Sequence, residues 1–300
     1  MSDIPTLYKY MPFRKEFFEN FYLRCTPRSA LNDPFELRPS DQYMRDHTWD
    51  LLAQREMTPE TELSEELLDF NSGFLKRAFN KMGIVSFSET NDNLLMWSHY
   101  ADNHRGIVVT FNTSHDFFKK DGSKSRQLGR VQYRKDRMKA LPLALKNGFH
   151  MSDSTRIYFE KSDEWIYEKE HRLMSDLYAA DATLCTSEYY NKRLRHKYPG
   201  YEPEAVTEKL VSINDIENCC HDAADPEVLC MLKVPPECIL SVICGANMPD
   251  EQKQEVREYT QRLGISLLEA EPDADEYKLN FCQPNKKSEV IEHSVSSIPW

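Results

Sequence analysis

The chain has 300 residues, of which 40% are hydrophobic and 29% charged, and its 15 Phe, 15 Tyr and 4 Trp supply the bulk for a real core. Nine glycines, a mean hydropathy of -0.66 and the absence of any apolar run near the roughly 20 residues that span a bilayer exclude collagen-like, low-complexity and helical membrane proteins. The formal charge of -11 favours solubility and disfavours unspecific attachment to phosphate backbones or anionic lipid, although a local basic groove stays compatible with it.

In chain order, residues 7–11 read as a first strand. Leu67, Phe70, Phe74, Leu75, Ala78 and Met82 recur at helical spacing, with Gly83 placed to stop the helix. Residues 84–88 follow as a short strand. The segment 97–106 reads as a helical turn with Trp97 and Tyr100 packed inward, and Gly106 opens a β-branched, aromatic strand to Phe111. Residues 239–244 form another strand. Pro249 and Asp250 then start a helix with Val256, Tyr259 and Leu263 on one face, closed by Gly264, before a strand at 265–268. The stretch 140–236 carries no clear period, and 186–235 reads as an insertion or mobile segment. Neither a repeat nor a Gly/Ser linker divides the chain, so a single mixed α+β domain over 1–300 is expected.

The opening Met1-Ser2-Asp3-Ile4-Pro5 shows no basic stretch followed by an apolar one, and eight cysteines in that setting are expected to be free thiols; cytoplasm is the expected location. Charge is uneven. Residues 116–139 hold nine Lys/Arg against three Asp, whereas 201–230 hold eight acids against Lys209 alone. These are either solvated surface segments or, for the basic one, a rim that attracts an anionic ligand.

Several chemistries lack their defining residues. There is no G-x-G-x-x-G, no P-loop, no G-x-S-x-G elbow and no H-E-x-x-H helix. His99, Asp102 and His104 share no helix or strand face, and Cys219-Cys220-His221 with Cys230 lacks C-x-x-C spacing, so no metal is expected. The segment 164–172 is richer. Read as extended, period two places Ile166, Glu168, Glu170 and Arg172 on one face. Two neighbouring carboxylates beside an Arg form either a solvated strand face or a catalytic pair, in which one acid raises the other's pKa while Arg172 favours ionisation. Such a pair suits a sugar hydroxyl and an oxocarbenium-like centre.

Taken together, Leu7-Tyr8-Lys9-Tyr10, Leu31-Asn32-Asp33-Pro34-Phe35-Glu36, Ser86-Phe87-Ser88, the segment 95–106, the segment 165–172 and the tail from Val242 through Leu279 resemble a bacterial domain-of-unknown-function family, DUF2971, over nearly the whole chain. A remoter resemblance links Tyr8-Lys9-Tyr10, Ser86-Phe87-Ser88 and Glu168-Lys169-Glu170 to ADP-ribosyltransferases, with Lys in the Arg/His place and Phe87 at the centre of the Ser-x-Ser. That resemblance implies a split β-sheet cleft flanked by helices and NAD as substrate, with no metal. It implies catalytic Glu170 on the nicotinamide-side ribose and Glu168 orienting the acceptor. NAD contacts would come from Lys9, Tyr10, Ser86, Ser88, Trp97, Tyr100, Asp33 and Arg172, with Trp97 or Tyr100 stacking on nicotinamide. The acceptor would be a protein or nucleic acid, and the setting a bacterial toxin or phage-defence effector. Asn32-Asp33-Pro34 equally suits a turn in which Asp33 caps the following residues. Two other readings stand beside this one. In a metal-dependent nuclease, Asp33, Glu168 and Glu170 would hold Mg²⁺ while Lys161 polarised the phosphate; in a non-catalytic module, the same clusters would only recognise.

Overall fold

The β-branched run Ile107–Asn112 forms β4, whose first five residues are all buried, as expected of a strand covered on both faces. Around it the computed structural model describes residues 6–46, 79–119, 126–137, 155–214 and 224–284, together with Glu66, Asp69, Phe70, Gly73 and Arg77. Thr6–Met11 forms β1, Lys15–Asn20 α1, Tyr22–Pro27 β2 and Met82–Ser88 β3. Leu94–Tyr100 forms α2, and Gln127–Arg130, Gln132–Arg134 and Glu160–Ser162 form β5, β6 and β7. Glu170–Asp176 is β8, Ala182–Thr186 β9, Glu204–Ala205 β10, Leu210–Ser212 β11 and Val228–Lys233 β12. Ile239–Cys244 is β13, Asp250–Leu263 α3, Ser266–Pro272 β14 and Leu279–Cys282 β15.

Among the described residues thirteen strands join one mixed sheet in the order β10-β11-β9-β12-β2-β3-β1-β4-β13-β14-β15, with β8 and β5 branching off at β3. Its pairings are antiparallel except β13–β14, which α3 connects as a crossover. The branch matters most. β8 runs along the whole of β3, from Met82↔Asp176 to Ser88↔Glu170. The other edge of β3 is shared: β2 pairs with its start (Pro27↔Gly83, Thr26↔Ile84) and β1 with its end (Tyr8↔Ser88). With one bridging register between β1 and β3, the two strands splay and leave a gap between them.

Phe17, Phe18, Phe87, Phe111 and Phe118 pack in the largest apolar cluster, and α2 lays Met96 and Trp97 against Tyr10, Val108 and Ile243 in a second. Helix α3 follows its sequence signals: Asp250 and Glu251 in the first turn, Arg262 in the last, Gly264 in the left-handed region at φ 68°. The expected helix before β3 falls mostly outside the described residues. Met82 and Gly83, assigned to its end, lie in β3 instead. Gly83 is there because a Cβ would stand 2.6 Å from Leu177 and 2.8 Å from the Cys25 sulfur, so packing against the turn that follows β8 and against β2 demands a bare position. Within 186–235, β10, β11 and β12 join the sheet, and Ser187–Leu194 is helical. Among the described residues no helix is long and apolar enough to cross a membrane.

Candidate functional site

The three strands that carry the sequence motifs are neighbours. Lys9 sits on β1, Ser86 and Ser88 on β3, Glu170 and Arg172 on β8, and the register places Ser88 opposite Glu170 and Ser86 opposite Arg172. At the splay between β1 and β3, Lys9 Nζ donates to the Ser86 carbonyl at 2.8 Å, and Ser88 Oγ donates to the Glu168 carbonyl at 2.7 Å.

Glu168 and Glu170 do not share a strand face, contrary to the extended reading of this segment. Asp163–Glu168 is a 3-10 helix started by Ser162 Oγ, which accepts from the Glu164 amide. Lys169 then takes the left-handed conformation at φ 45°, and β8 begins at Glu170. Period two fails because the chain turns between the two acids. The turn nevertheless aims both carboxylates at one cation: Lys161 Nζ lies 2.6 Å from Glu168 Oε2, 3.2 Å from Glu170 Oε2 and 3.4 Å from Glu36 Oε1. Arg172, fully buried, grips Glu170 through Nε and Nη2 at 2.9 Å each, donates to the Tyr158 carbonyl at 2.7 Å and pairs with Glu36.

Three buried carboxylates are thus balanced by Lys161 and Arg172, with half-buried Lys9 beside them. Buried charges survive only where they are paired in this way. Burial pushes the Glu170 carboxyl above its usual range, with Glu168 adding to the rise and Lys161 opposing it. Burial would lower the Lys161 ammonium, but Glu170 and Glu168 outweigh it and raise it. The Lys9 ammonium is lowered to about 8 by burial, with Glu170 and Glu168 partly offsetting the loss. Tyr100, raised by burial and by its bond to Glu168, stays a phenol and donates to Glu168 Oε1 at 2.6 Å.

A carboxylate offers about four acceptor positions. Glu170 meets two from Arg172, one from Lys161 and one from the Ser86 side chain, whereas among the described residues Glu168 meets Tyr100 and Lys161 through its oxygens. Glu168 therefore keeps accepting capacity toward the space beside it. That space is a cleft of about 310 Å³, lined by Lys9 and Tyr10 from β1, Ser86 and Ser88 from β3, Tyr100 from α2, and Glu36, Lys161, Glu168 and Glu170. It lies where β1 and β3 part.

Seven of the residues expected from sequence thus line one cleft: Lys9, Tyr10, Ser86, Ser88, Tyr100, Glu168 and Glu170. Three do not. Trp97 is fully buried under α2, edge-on to Tyr10 at 5.5 Å, with Nε1 donating to the Asn91 carbonyl, so its indole is core and cannot stack on a ligand. Asp33 lies off the cleft and accepts from the Phe35 amide at 2.8 Å, the capping turn that Asn-Asp-Pro suggests. Arg172 stands behind Glu170 as its support and does not line the cleft.

Sequence reasoning leaves Asp33 or Glu36 as the ligand contact of its motif, gives Lys161 a role only in the nuclease reading, and misses Tyr133, whose hydroxyl accepts from the Glu170 amide at 2.7 Å. Glu36 has a signal, since the same six-residue motif contains it. The nuclease constellation is not assembled: Asp33 is a cap, both glutamates face cations, and among the described residues no group of three or more His, Cys, Asp or Glu is placed to hold a metal. The Cys219-Cys220-His221 run lies outside the described residues.

Residues 96–173 match the family model described as protein of unknown function (DUF2971). The matched segment is similar to that family. It reaches from α2 to the middle of β8 and so includes Tyr100, Lys161, Glu168, Glu170 and Arg172, while β1 and β3 lie outside it. No curated protein and no solved structure matches the chain.

Proposed function

We propose that this protein is an ADP-ribosyltransferase-like enzyme that binds NAD in the split-sheet cleft and transfers ADP-ribose to a macromolecular acceptor. The observation that carries the reading is the convergence of Lys9, Ser86, Ser88, Tyr100, Glu168 and Glu170, from four separated segments, on one cleft of about 310 Å³. Chance rarely assembles the three resembling motifs on adjacent strands around a gap.

The chemistry follows from the charges. The N-glycosidic bond between nicotinamide and ribose C1 breaks, and nicotinamide leaves with the bonding pair as a neutral molecule. Positive charge develops on the ribose ring beside two buried carboxylates, where fixed anions act more strongly than in water. Glu170, locked by Arg172 from behind, takes the ribose hydroxyl by releasing its Ser86 contact. Glu168, with open lone pairs, receives the proton of the acceptor as its nucleophilic atom bonds C1. Lys9, in the place of the resembling family's Arg or His, holds the dinucleotide from β1. A toxin or phage-defence effector is the setting in which we place this activity.

Incubation with NAD, following nicotinamide release and NAD binding, tests the reading. Glu170→Gln should keep the fold by circular dichroism and lose at least about 100-fold in nicotinamide release, the scale of a lost electrostatic partner to the transition state. Wild-type protein that neither binds NAD nor releases nicotinamide refutes it.

A further inference from the structure

We propose that the acceptor is a single-stranded nucleic acid, bound along an aromatic and cationic track that leads out from Glu168; this rests on the NAD reaction above. The track begins inside the site. Tyr100, bonded to Glu168, is followed by His99 at a ring distance of 6.3 Å, Tyr167 at 6.5 Å from His99, and Trp165 at 6.1 Å from Tyr167. Asn93 Nδ2 ties the Tyr167 carbonyl to the start of α2 at 3.0 Å, and the Lys161 ammonium lies 4.9 Å from the Trp165 ring centre. His99 is exposed and Tyr167 and Trp165 are half-buried, so the rings present part of their surface to solvent. Fixed rings of this kind offer stacking surfaces for planar bases whatever the sequence.

Beyond Trp165 the surface turns cationic. β7 pairs with β6 so that Arg134 stands opposite Ser162, and a second cleft of about 80 Å³ opens there, lined by Arg38, Arg134, Lys135, Arg137 and Phe35. That volume suits one phosphate rather than a nucleotide. Three of the acids that line it are already committed. Glu160 pairs with Arg134 at 3.2 Å and Arg156 at 3.8 Å, Asp33 caps Phe35, and Glu36 belongs to Lys161 and Arg172. Asp136 remains against Arg38, Lys135 and Arg137, a local cationic excess on a chain of net charge -11. Phe35 is 62% exposed with the Arg137 guanidinium 5.5 Å from its ring centre, a further stacking face beside the phosphate position.

The two clefts share Glu36 and Lys161, both buried and 3.4 Å apart, as a common wall. One dinucleotide in the first cleft does not extend through that closed pair, whereas a strand passing over the wall reaches both sides. Its phosphates meet the cations, its bases lie on the rings, and the terminal base stands beside Glu168. A ring nitrogen or exocyclic amine of that base bonds ribose C1 of NAD, its proton passes to Glu168, and nicotinamide departs.

The test uses the full chain and fluorescein-labelled DNA and RNA single strands of about 12 nucleotides, read by anisotropy, with the matching duplex beside them. Single strands should bind more tightly than the duplex, and more weakly as salt rises from about 50 to 200 mM. Trp165→Ala should weaken binding about 5- to 100-fold, with Trp165→Phe restoring most of it. Arg134→Ala with Arg137→Ala should lower the salt slope by about one for each phosphate that an arginine had neutralised, with nicotinamide release from NAD unchanged. ADP-ribose should then be recovered on the single strand. Nicotinamide release without strand binding, equal affinity for duplex, wild-type binding by Trp165→Ala, or transfer to protein alone each overturns the proposal and leaves the NAD reading intact. Strand binding that depends on Trp165, without any nicotinamide release, supports the nucleic-acid track and overturns the enzymatic reading instead.

Discussion

Lys161→Met removes the cation that three buried carboxylates share while keeping most of its volume. Lys161 Nζ stands 2.6 Å from Glu168, 3.2 Å from Glu170 and 3.4 Å from Glu36, and all four side chains are at most 4% exposed. At an effective dielectric near 20, each contact at these distances is worth about 5 kcal/mol of attraction before desolvation is subtracted. Removing one partner of a buried ion cluster costs about 3–5 kcal/mol net, because the remaining charges stay buried without compensation. The loss depends on pH in a defined direction. Without Lys161 the Glu170 carboxyl, already raised by burial, titrates still higher in the folded chain than in the unfolded one, where glutamate titrates at about 4.3, so its penalty is absent below that value, grows by about 1.4 kcal/mol per pH unit above it and levels off above the folded value. Glu170, which burial already raises in the wild type, is the first to take up the proton. Urea unfolding at about pH 5 and about pH 7.5 reads the difference. We expect a large deficit at the higher pH, a clearly smaller one at the lower, and partial recovery in Lys161→Met/Glu168→Gln. A deficit under about 1 kcal/mol, or one equal at both pH values, refutes the argument, since hydrated surface pairs behave that way.

Three further outcomes are expected. Because burial lowers the Lys9 ammonium to about 8, its charge is present below that pH and lost above it; NAD affinity should fall about tenfold per unit on the alkaline side, and Lys9→Arg should flatten the profile in calorimetric titrations from pH 7 to 10. Tyr100→Phe removes the hydroxyl that donates to Glu168 at 2.6 Å, and should cost about 1.5–3 kcal/mol of stability in chemical unfolding without altering the fold. Gly245→Ala places a Cβ 2.1 Å from the His104 carbonyl, which also accepts from the Asn247 amide at 2.9 Å; the backbone there must shift, and a loss of about 1–3 kcal/mol should appear as a lower thermal midpoint.

How much of the site is legible in the sequence depends on the range of the interaction concerned. Lys9, Ser86 and Ser88 can be placed because they lie on strands whose local pattern is plain, and alternation along a strand decides which face a side chain takes. Trp97 carries two readings, packed inward on its helical turn or stacked on a ligand, and the packing of Tyr10 and His104 against it selects the first. Asp33 and Glu36 differ in the same way. Both are buried and three residues apart, yet the first serves its own turn and the second reaches across the fold to Lys161 and Arg172.

By itself the sequence determined the elements whose causes are local: the β-branched runs of β4 and β13, the charged and glycine-closed ends of α3, and the turn made by Asn32-Asp33-Pro34. It also carried the motifs on which the proposed NAD reading rests. Tertiary structure decided that β1 and β3 meet at one register and then part, that a left-handed Lys169 separates the two acids, and that Lys161 stands among three carboxylates. The reason is electrostatic. A carboxylate can leave water only where a cation and the surrounding walls arrive with it; Lys161 and Arg172 share a short segment with Glu168 and Glu170, but Glu36 and the β1 and β3 walls come from remote parts of the chain.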